Sequence, residues 1–202
     1  MSVDFYFIAI GGVGQSALAR ILLNLNYKVA GSDIKESKYT KLVQTLGGQV
    51  FIGHDKKNIQ GNPKIVVSSA IKEDNPELIR ARELNLEIIH RSDCLKLISE
   101  HFDCFVGFSG THGKTTTSGL CCYILENLKK NPAYAIGGII PKIETNANCY
   151  KDSKYFIAEL DESDKTIVKY HPKKLVVNNI QEDHLDNYKN LILESQNIGV
   201  TA

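Results

Sequence analysis

The sequence has almost no excess of charge of either sign. Its 24 Lys and Arg residues against 23 Asp and Glu residues leave a formal net charge of +1 over 202 residues. A protein that binds nucleic acid relies on a positive field, which supplies much of the affinity for phosphate. We therefore expect no nucleic-acid partner.

Long apolar runs are also lacking. No window reaches about 18 uninterrupted apolar residues, which is the length that crosses a bilayer, and residues 1–10 do not combine a basic start with a long apolar core. We therefore expect no membrane insertion and no signal peptide, and we predict a cytoplasmic protein.

The cysteines form no recognisable framework. There are five, an odd number, and none stands in a C-x-x-C pair, which argues against a disulfide scaffold and against a zinc site. We expect reduced and mostly buried thiols. The five are Cys94, Cys104, Cys121, Cys122 and Cys149.

The first half of the chain alternates strand-like and helix-like segments. Runs rich in Val, Ile and Phe predict strands, and segments with apolar residues three and four apart predict helices. This alternation is typical of a parallel sheet joined by crossover helices, so we predict an α/β, Rossmann-like domain over residues 1–100. The predicted strands are 5–10, 27–33, 48–53, 64–70 and 86–91, and the predicted helices are 14–26, 37–47 and 75–85.

A second α/β unit begins near residue 101. We predict strands at 103–110, 133–139, 154–160 and 174–180, with helices at 114–130 and 186–202. The chain stops before a further strand could complete this sheet. We therefore expect residues 101–202 to be the N-terminal part of a larger P-loop-type domain, and the chain to be a fragment.

The first glycine loop lies between a predicted strand and a predicted helix. Gly12-x-Gly14-x-x-Ala17 fits the dinucleotide-binding pattern, in which a pyrophosphate approaches the N-terminus of the helix. Asp33 stands at the end of the next strand, where a carboxylate accepts hydrogen bonds from a ribose. The pattern also fits a tight turn without a ligand, and it does not distinguish a nicotinamide dinucleotide from another pyrophosphate.

The second glycine loop, "GFSGTHGKTTTSG" at residues 107–119, departs from the Walker A pattern because Phe108 replaces its first glycine. We count Gly107 among its loop glycines. We expect the backbone N–H groups of residues 111–115 to surround phosphate oxygens. Lys114 would contact the β- and γ-phosphates, and the Thr115 hydroxyl would bind Mg²⁺.

Acidic residues follow two later strands. Glu159, Asp161, Glu162 and Asp164 are either magnesium ligands or a solvated loop. Alternation along the strand makes Glu159 the carboxylate that the strand holds most firmly. His184, between Asp183 and Asp186, is either a metal ligand or a histidine at a helix start that bonds a nearby carboxylate.

Taken together, the loops resemble the Mur ligases, whose nucleotide loop has the form G-T-[HN]-G-K-T. The likeness extends almost from Met1 to Tyr188. The motifs that carry it are "IGGVGQSALA", "GSD", "VVSSAIKEDNPE", "GTHGKTTT", "AELDESD" and "EDHLDNY".

The resemblance implies an ATP-dependent, amide-forming ligase of peptidoglycan precursor synthesis that requires Mg²⁺. Within the family, the motifs are most similar to those of members that join L-alanine to UDP-N-acetylmuramate through an acyl phosphate. Ser163 stands where members that recycle murein tripeptide typically have Tyr. Family members are longer, three-domain proteins, so we expect these 202 residues alone to be inactive, and a non-catalytic nucleotide-binding fragment is the alternative.

The resemblance also implies roles for individual residues. The expected catalytic residues are Lys114, Glu159 and His184, and the expected metal ligands are Thr115, Glu159 and His184. The expected ATP-binding residues are Gly110, Thr111, His112, Gly113, Lys114, Thr115 and Thr116. The expected residues for the UDP substrate are Gly12, Gly14, Asp33 and Ser69.

Overall fold

A computed structural model describes residues 3–160 and 169–179 of the chain. The chain divides into two compact units, Met1–Ile98 and Ser99–Ala202. Both contain parallel sheets and helices, which confirms the predicted α/β class.

The first unit contains the five predicted strands and the three predicted helices. Two elements were not predicted: a short 3-10 helix at Lys56–Asn58, and α4, which begins directly after β5 with no linker between them. The strands are β1 Phe5–Ile8, β2 Val29–Asp33, β3 Gln49–Ile52, β4 Lys64–Val67 and β5 Ile88–His90. The helices are α1 Val13–Asn24, α2 Lys38–Thr45, α3 Pro76–Glu83 and α4 Arg91–Ser99.

The sheet of the first unit has the order β3-β2-β1-β4-β5, and every pair is parallel. The chain moves outward from β1 first to one side and then to the other. The carboxyl end of β1 is therefore the switch point, where open α/β sheets bind ligands. The first glycine loop starts at this point.

The second unit has a mixed sheet of the order β10-β6-β9-β7-β8. Among the strands that the structure describes in this unit, only the β7–β8 pair is antiparallel. The sequence did not predict the short polar strand β8. The described elements are β6 Cys104–Ser109, α5 Lys114–Asn127, β7 Ala133–Ile140, β8 Thr145–Asn148, β9 Tyr155–Glu159 and β10 Lys174–Val177. The helix predicted at 186–202 lies outside the described residues.

Apolar residues cover both faces of the two central strands of this sheet. Phe105 of β6 stacks on Phe156 of β9 with ring centroids 5.5 Å apart. The next residue of β9, Ile157, packs with Phe108 and with Cys122 of α5. Because successive side chains of a strand point to opposite faces, Glu159 emerges on the same face as Ile157, toward α5.

The cysteines agree with the sequence-based expectation. All five are free thiols, and three of them are buried. Burial raises the pKa of Cys94 to about 12 and that of Cys149 to about 11.

Within residues 3–160 and 169–179, no helix is long and apolar enough to cross a membrane. The cytoplasmic location stays a prediction from the sequence.

Candidate functional site

Two glycines set the shape of the second glycine loop. Gly110 has a φ of +123° and Gly113 a φ of +81°, so both adopt backbone conformations that favour glycine. A Cβ on Gly110 would also lie 2.8 Å from the carbonyl oxygen of Asn179. Gly107, expected in the loop, lies instead inside β6, where a Cβ would lie 2.5 Å from Leu160 Cδ1. Gly107 therefore allows Leu160 to pack closely against the backbone of β6.

Asn179, which follows β10, holds the start of the loop. Its side-chain Oδ1 accepts a hydrogen bond from the backbone N–H of His112 at 2.9 Å, and its Nδ2 donates to the His112 carbonyl at 3.0 Å. Its own carbonyl accepts from the N–H of Thr111 at 3.2 Å. Two of the N–H groups of residues 111–115, those of Thr111 and His112, thus donate to Asn179, and the contact of this loop with phosphate stays a prediction.

The N-terminus of α5 forms the rest of the candidate phosphate site. Helix geometry leaves the first N–H groups of a helix without partners inside it, and the helix dipole makes this end attractive to anions. Lys114 is the first helical residue, and its ammonium donates to the Gly110 carbonyl at 2.7 Å across the loop. The loop thus brings backbone donors and a cation to one place, as a phosphate site requires.

Glu159 lies beside this helix start. The Thr115 hydroxyl donates to Glu159 Oε2 at 2.9 Å, so the structure brings two of the three predicted metal ligands together. The other carboxylate oxygen, Oε1, accepts from Ser118 Oγ at 3.1 Å and from the backbone N–H of Gly137 at 2.8 Å. Glu159 is therefore held in a defined orientation by α5 and β7.

The donor set formed by Thr115 and Glu159 fits Mg²⁺, which prefers hard oxygen ligands. The third predicted ligand, His184, lies outside the described residues, as do the acidic residues between 161 and 164 and the pair Asp183 and Asp186. Among the described residues, no group of three or more His, Cys, Asp or Glu side chains is placed to hold a metal.

The first glycine loop has a different geometry. Gly12 caps α1 with a φ of −65°, and the left-handed residue of the turn is Ala9, with a φ of 64°. Of the three glycines in this loop, Gly11 has the least room for a side chain, because a Cβ there would lie 2.7 Å from Asp33 Oδ2. Gly14 lies in the first turn of α1, so the loop presents a helix N-terminus to a ligand.

Asp33 contacts the loop itself. Its Oδ2 accepts from the backbone N–H of Gly11 at 2.9 Å, and its Oδ1 accepts from the N–H of Lys35 at 3.3 Å. Asp33 therefore ties the loop to the end of β2, and its contact with a ribose stays a prediction. The amide oxygen of Gln15 is buried beside this loop and has no hydrogen-bond partner among the described residues.

The ends of β4 and β5 add polar groups at the same edge of the first sheet. Ser69 Oγ lies 3.2 Å from His90 Nε2. A Cβ on Gly14 would lie 3.7 Å from Arg91 Nη1, so this guanidinium is next to the helix start. Sequence reasoning missed His90 and Arg91 as site residues, although two basic residues at the carboxyl end of the predicted strand 86–91 were a usable signal.

Ser118, Gly137 and Asn179 were also missed by sequence reasoning. Each contacts a predicted residue that is 22 to 67 positions away in the chain. No short motif connects residues at such distances.

Comparisons with known proteins match both units. Residues 4–103 match the family model described as Mur ligase family, catalytic domain, and residues 108–192 match the Mur ligase middle domain. A UDP-N-acetylmuramate–L-alanine ligase of Carboxydothermus hydrogenoformans is 44% identical over 186 residues, which cover 91% of this chain and 39% of that protein. The chain thus spans about 40% of the length of the curated relatives it matches.

Solved structures show the same likeness. The UDP-N-acetylmuramate–alanine ligase of Thermotoga maritima superposes with a TM-score of 0.85 and 29% identity, over 98% of this chain and 47% of that one. A UDP-N-acetylmuramate:L-alanyl-gamma-D-glutamyl-meso-diaminopimelate ligase from Neisseria meningitides superposes with a TM-score of 0.81 and 26% identity, over 98% of this chain and 66% of that one.

Proposed function

Because this chain belongs to the Mur ligase family, we propose that it carries the binding residues of an ATP-dependent ligase that joins L-alanine to the carboxylate of UDP-N-acetylmuramate. The curated relatives with 41–44% identity are named for this activity. Ser163, where tripeptide-recycling relatives typically have Tyr, favours the same substrate. The reaction belongs to peptidoglycan precursor synthesis.

The observation that carries the proposal is the contact between Thr115 and Glu159 at the start of α5. It places a hydroxyl and a carboxylate 2.9 Å apart, next to a lysine and a helix N-terminus. A nucleotide triphosphate with its divalent cation requires this combination of groups. A structural glycine turn requires none of them.

When bound, ATP would transfer its γ-phosphoryl group to the muramate carboxylate and leave as ADP. The amine of L-alanine would then displace phosphate from the resulting acyl phosphate. In the chain, Lys114 exchanges the Gly110 carbonyl for phosphate oxygens and neutralises their charge. Thr115, Glu159 and His184 would hold Mg²⁺, which would offset the negative charge of the phosphates. Ser118 and the Gly137 N–H occupy one oxygen of Glu159, and the other, which accepts from Thr115, would be the metal ligand.

The first unit holds the UDP part of the substrate. Gly12 and Gly14 let the diphosphate approach the N-terminus of α1, where helix dipole and N–H groups attract it. Arg91, beside Gly14, adds a positive charge. Asp33 and Ser69 contact the nucleoside and sugar side.

Phosphate release by the full-length protein tests the proposal. We expect release that depends on ATP, Mg²⁺, UDP-N-acetylmuramate and L-alanine together. Faster release with L-alanyl-γ-D-glutamyl-meso-diaminopimelate than with L-alanine would instead assign the tripeptide activity of the Neisseria neighbour. Stabilisation against heat by NADH in preference to UDP would overturn the assignment of the first loop.

A further inference from the structure

Asn179 makes an unusual set of contacts for a residue just beyond a strand. Both hydrogen-bonding groups of its side-chain amide are used on one residue, His112: Oδ1 accepts from the backbone N–H and Nδ2 donates to the carbonyl. Its own carbonyl accepts from Thr111. Three hydrogen bonds from one residue therefore hold two consecutive residues of the nucleotide loop.

These contacts extend the sheet beyond the end of its strands. β10 pairs with β6 in parallel as far as Val177 and Ser109, and the N–H of Asn178 donates to the Ser109 carbonyl at 3.0 Å. The side-chain amide of Asn179 then bonds the backbone N–H and carbonyl of His112, as the backbone of a neighbouring strand would do. The loop after β6 is thus held by β10 at the point where regular pairing stops.

A loop with glycines at both ends needs such support. Gly110 and Gly113 both have positive φ angles, and glycine loses more conformational freedom on ordering than other residues. A loop that is already ordered before the nucleotide arrives binds it more tightly, because less entropy is lost on binding.

We propose that Asn179 is a positioning residue of the nucleotide loop, which holds His112 and thereby orders the N-terminus of α5 and Lys114 toward the phosphates. The inference rests on the proposed ATP-binding function. Asn179 acts through the loop, since its amide is directed at the backbone of His112. Only an amide satisfies both groups: aspartate cannot donate to the His112 carbonyl, and alanine makes neither bond.

The test compares Asn179→Ala and Asn179→Asp with wild type in the full-length protein. We expect the Kd and KM for ATP to rise about tenfold or more with Asn179→Ala, which corresponds to the loss of two hydrogen bonds. The Kd for UDP-N-acetylmuramate should stay within about twofold. Hydrogen exchange of the Thr111 and His112 amides should become faster in the nucleotide-free protein.

Asn178→Ala serves as the matched control. The Asn178 side chain donates a single longer bond, of 3.3 Å, to the same His112 carbonyl. We expect the KM for ATP to change by no more than about threefold. Asn179→Asp keeps the size of the side chain and the bond to the His112 N–H, so it remains informative if the alanine variant does not fold.

The outcomes separate the inference from the proposed function. If the wild-type protein does not bind ATP, both fail. A second outcome is that wild type binds ATP and Lys114→Ala impairs turnover, which supports the proposed function. If both Asn179 variants then keep the wild-type KM for ATP and the wild-type amide exchange, only the role of Asn179 is wrong. An equal loss of affinity for ATP and UDP-N-acetylmuramate would also overturn it, because that result indicates general destabilisation.

Discussion

Lys114 is the residue of the second glycine loop that we propose contacts the transferring phosphate. Its ammonium donates to the Gly110 carbonyl at 2.7 Å, so the charge lies over the loop and not in bulk solvent. An incoming phosphate offers a fully charged acceptor in place of a neutral carbonyl, and such charge-assisted hydrogen bonds are about twice as strong.

We predict that Lys114→Ala lowers kcat by at least about a hundredfold, because one preorganised electrostatic contact to the transferring phosphate is lost. Binding of UDP-N-acetylmuramate should hardly change. Steady-state phosphate release and calorimetric titration of the full-length protein measure the two quantities.

Lys130→Ala is the control, since this exposed lysine lies beyond the other end of α5. It should leave kcat unchanged. Near-normal turnover of Lys114→Ala would mean that the loop at 107–119 is not a phosphate site.

At the scale of elements, the second glycine loop packs closely against the backbone of the segment after β10. Gly110 has a φ of +123°, and the backbone at Asn179 leaves no room for a Cβ on it. Strain at such a position costs about 1–3 kcal/mol.

Gly110→Ala should therefore destabilise the loop and raise the Kd for ATP at least about tenfold, while the Kd for UDP-N-acetylmuramate is retained. Gly119→Ala is the matched control, because a Cβ on this residue of α5 would make only ordinary contacts, at 3.7 Å with Ile136 and at 3.8 Å with Ile140 of β7. That variant should be as stable as wild type or more stable by up to about 1 kcal/mol. Equal effects of both substitutions on ATP binding would contradict the prediction.

A second element-scale feature is the attachment of α3 to the first sheet by Glu77. Its fully buried carboxylate accepts from Tyr6 Oη at 2.7 Å, from Asn58 Nδ2 at 2.8 Å and from Ser32 Oγ at 2.5 Å. His54 Nδ1 lies 2.9 Å from the same group. Burial and the nearby carboxylate raise the pKa of Tyr6, so its hydroxyl remains a donor at neutral pH.

We predict that Glu77→Ala lowers the free energy of unfolding by about 3 kcal/mol or more, since several buried donors lose their acceptor. Glu83→Ala on the same helix should change it by less than about 1 kcal/mol, because its contact with Arg80 is at the surface. Urea unfolding followed by circular dichroism measures both. A cost for Glu77→Ala no larger than that for Glu83→Ala would show that the buried network contributes little.

At the scale of the whole molecule, the thiols report on how well both units are packed. Cys94, Cys122 and Cys149 are buried, whereas Cys104 and Cys121 are partly exposed. Because the raised pKa values of Cys94 and Cys149 lie at about 12 and about 11, roughly one thiol in a thousand or fewer is ionised at pH 8.

We therefore predict that Ellman's reagent at pH 8 modifies the three buried thiols slowly in the native protein and all five rapidly in denaturant. The rate for Cys94 and Cys149 should rise with pH, since the reactive thiolate forms only as the pH approaches the raised pKa. Rapid native modification of all five would contradict the packing described above.

The order of strands, loops and helices was determined by local sequence patterns. The five strands of the first unit follow from runs rich in Val, Ile and Phe, and its predicted helices follow from apolar residues three and four apart. The face on which Glu159 emerges follows from alternation along its strand. Each segment carries these patterns by itself. The glycine positions likewise follow from the sequence, although Gly107 was wrongly placed in the loop.

Only the tertiary structure decided which strands are neighbours. The order of the strands in turn determines which residues meet at the candidate site. β6 lies between β9 and β10, so its loop meets Glu159 on one side and Asn179 on the other. Strand order depends on packing free energy summed over both faces of a sheet, which no single segment encodes. For this reason, the hydrogen bond from Ser118 to Glu159 could not be predicted from the sequence. The same holds for the antiparallel strand β8.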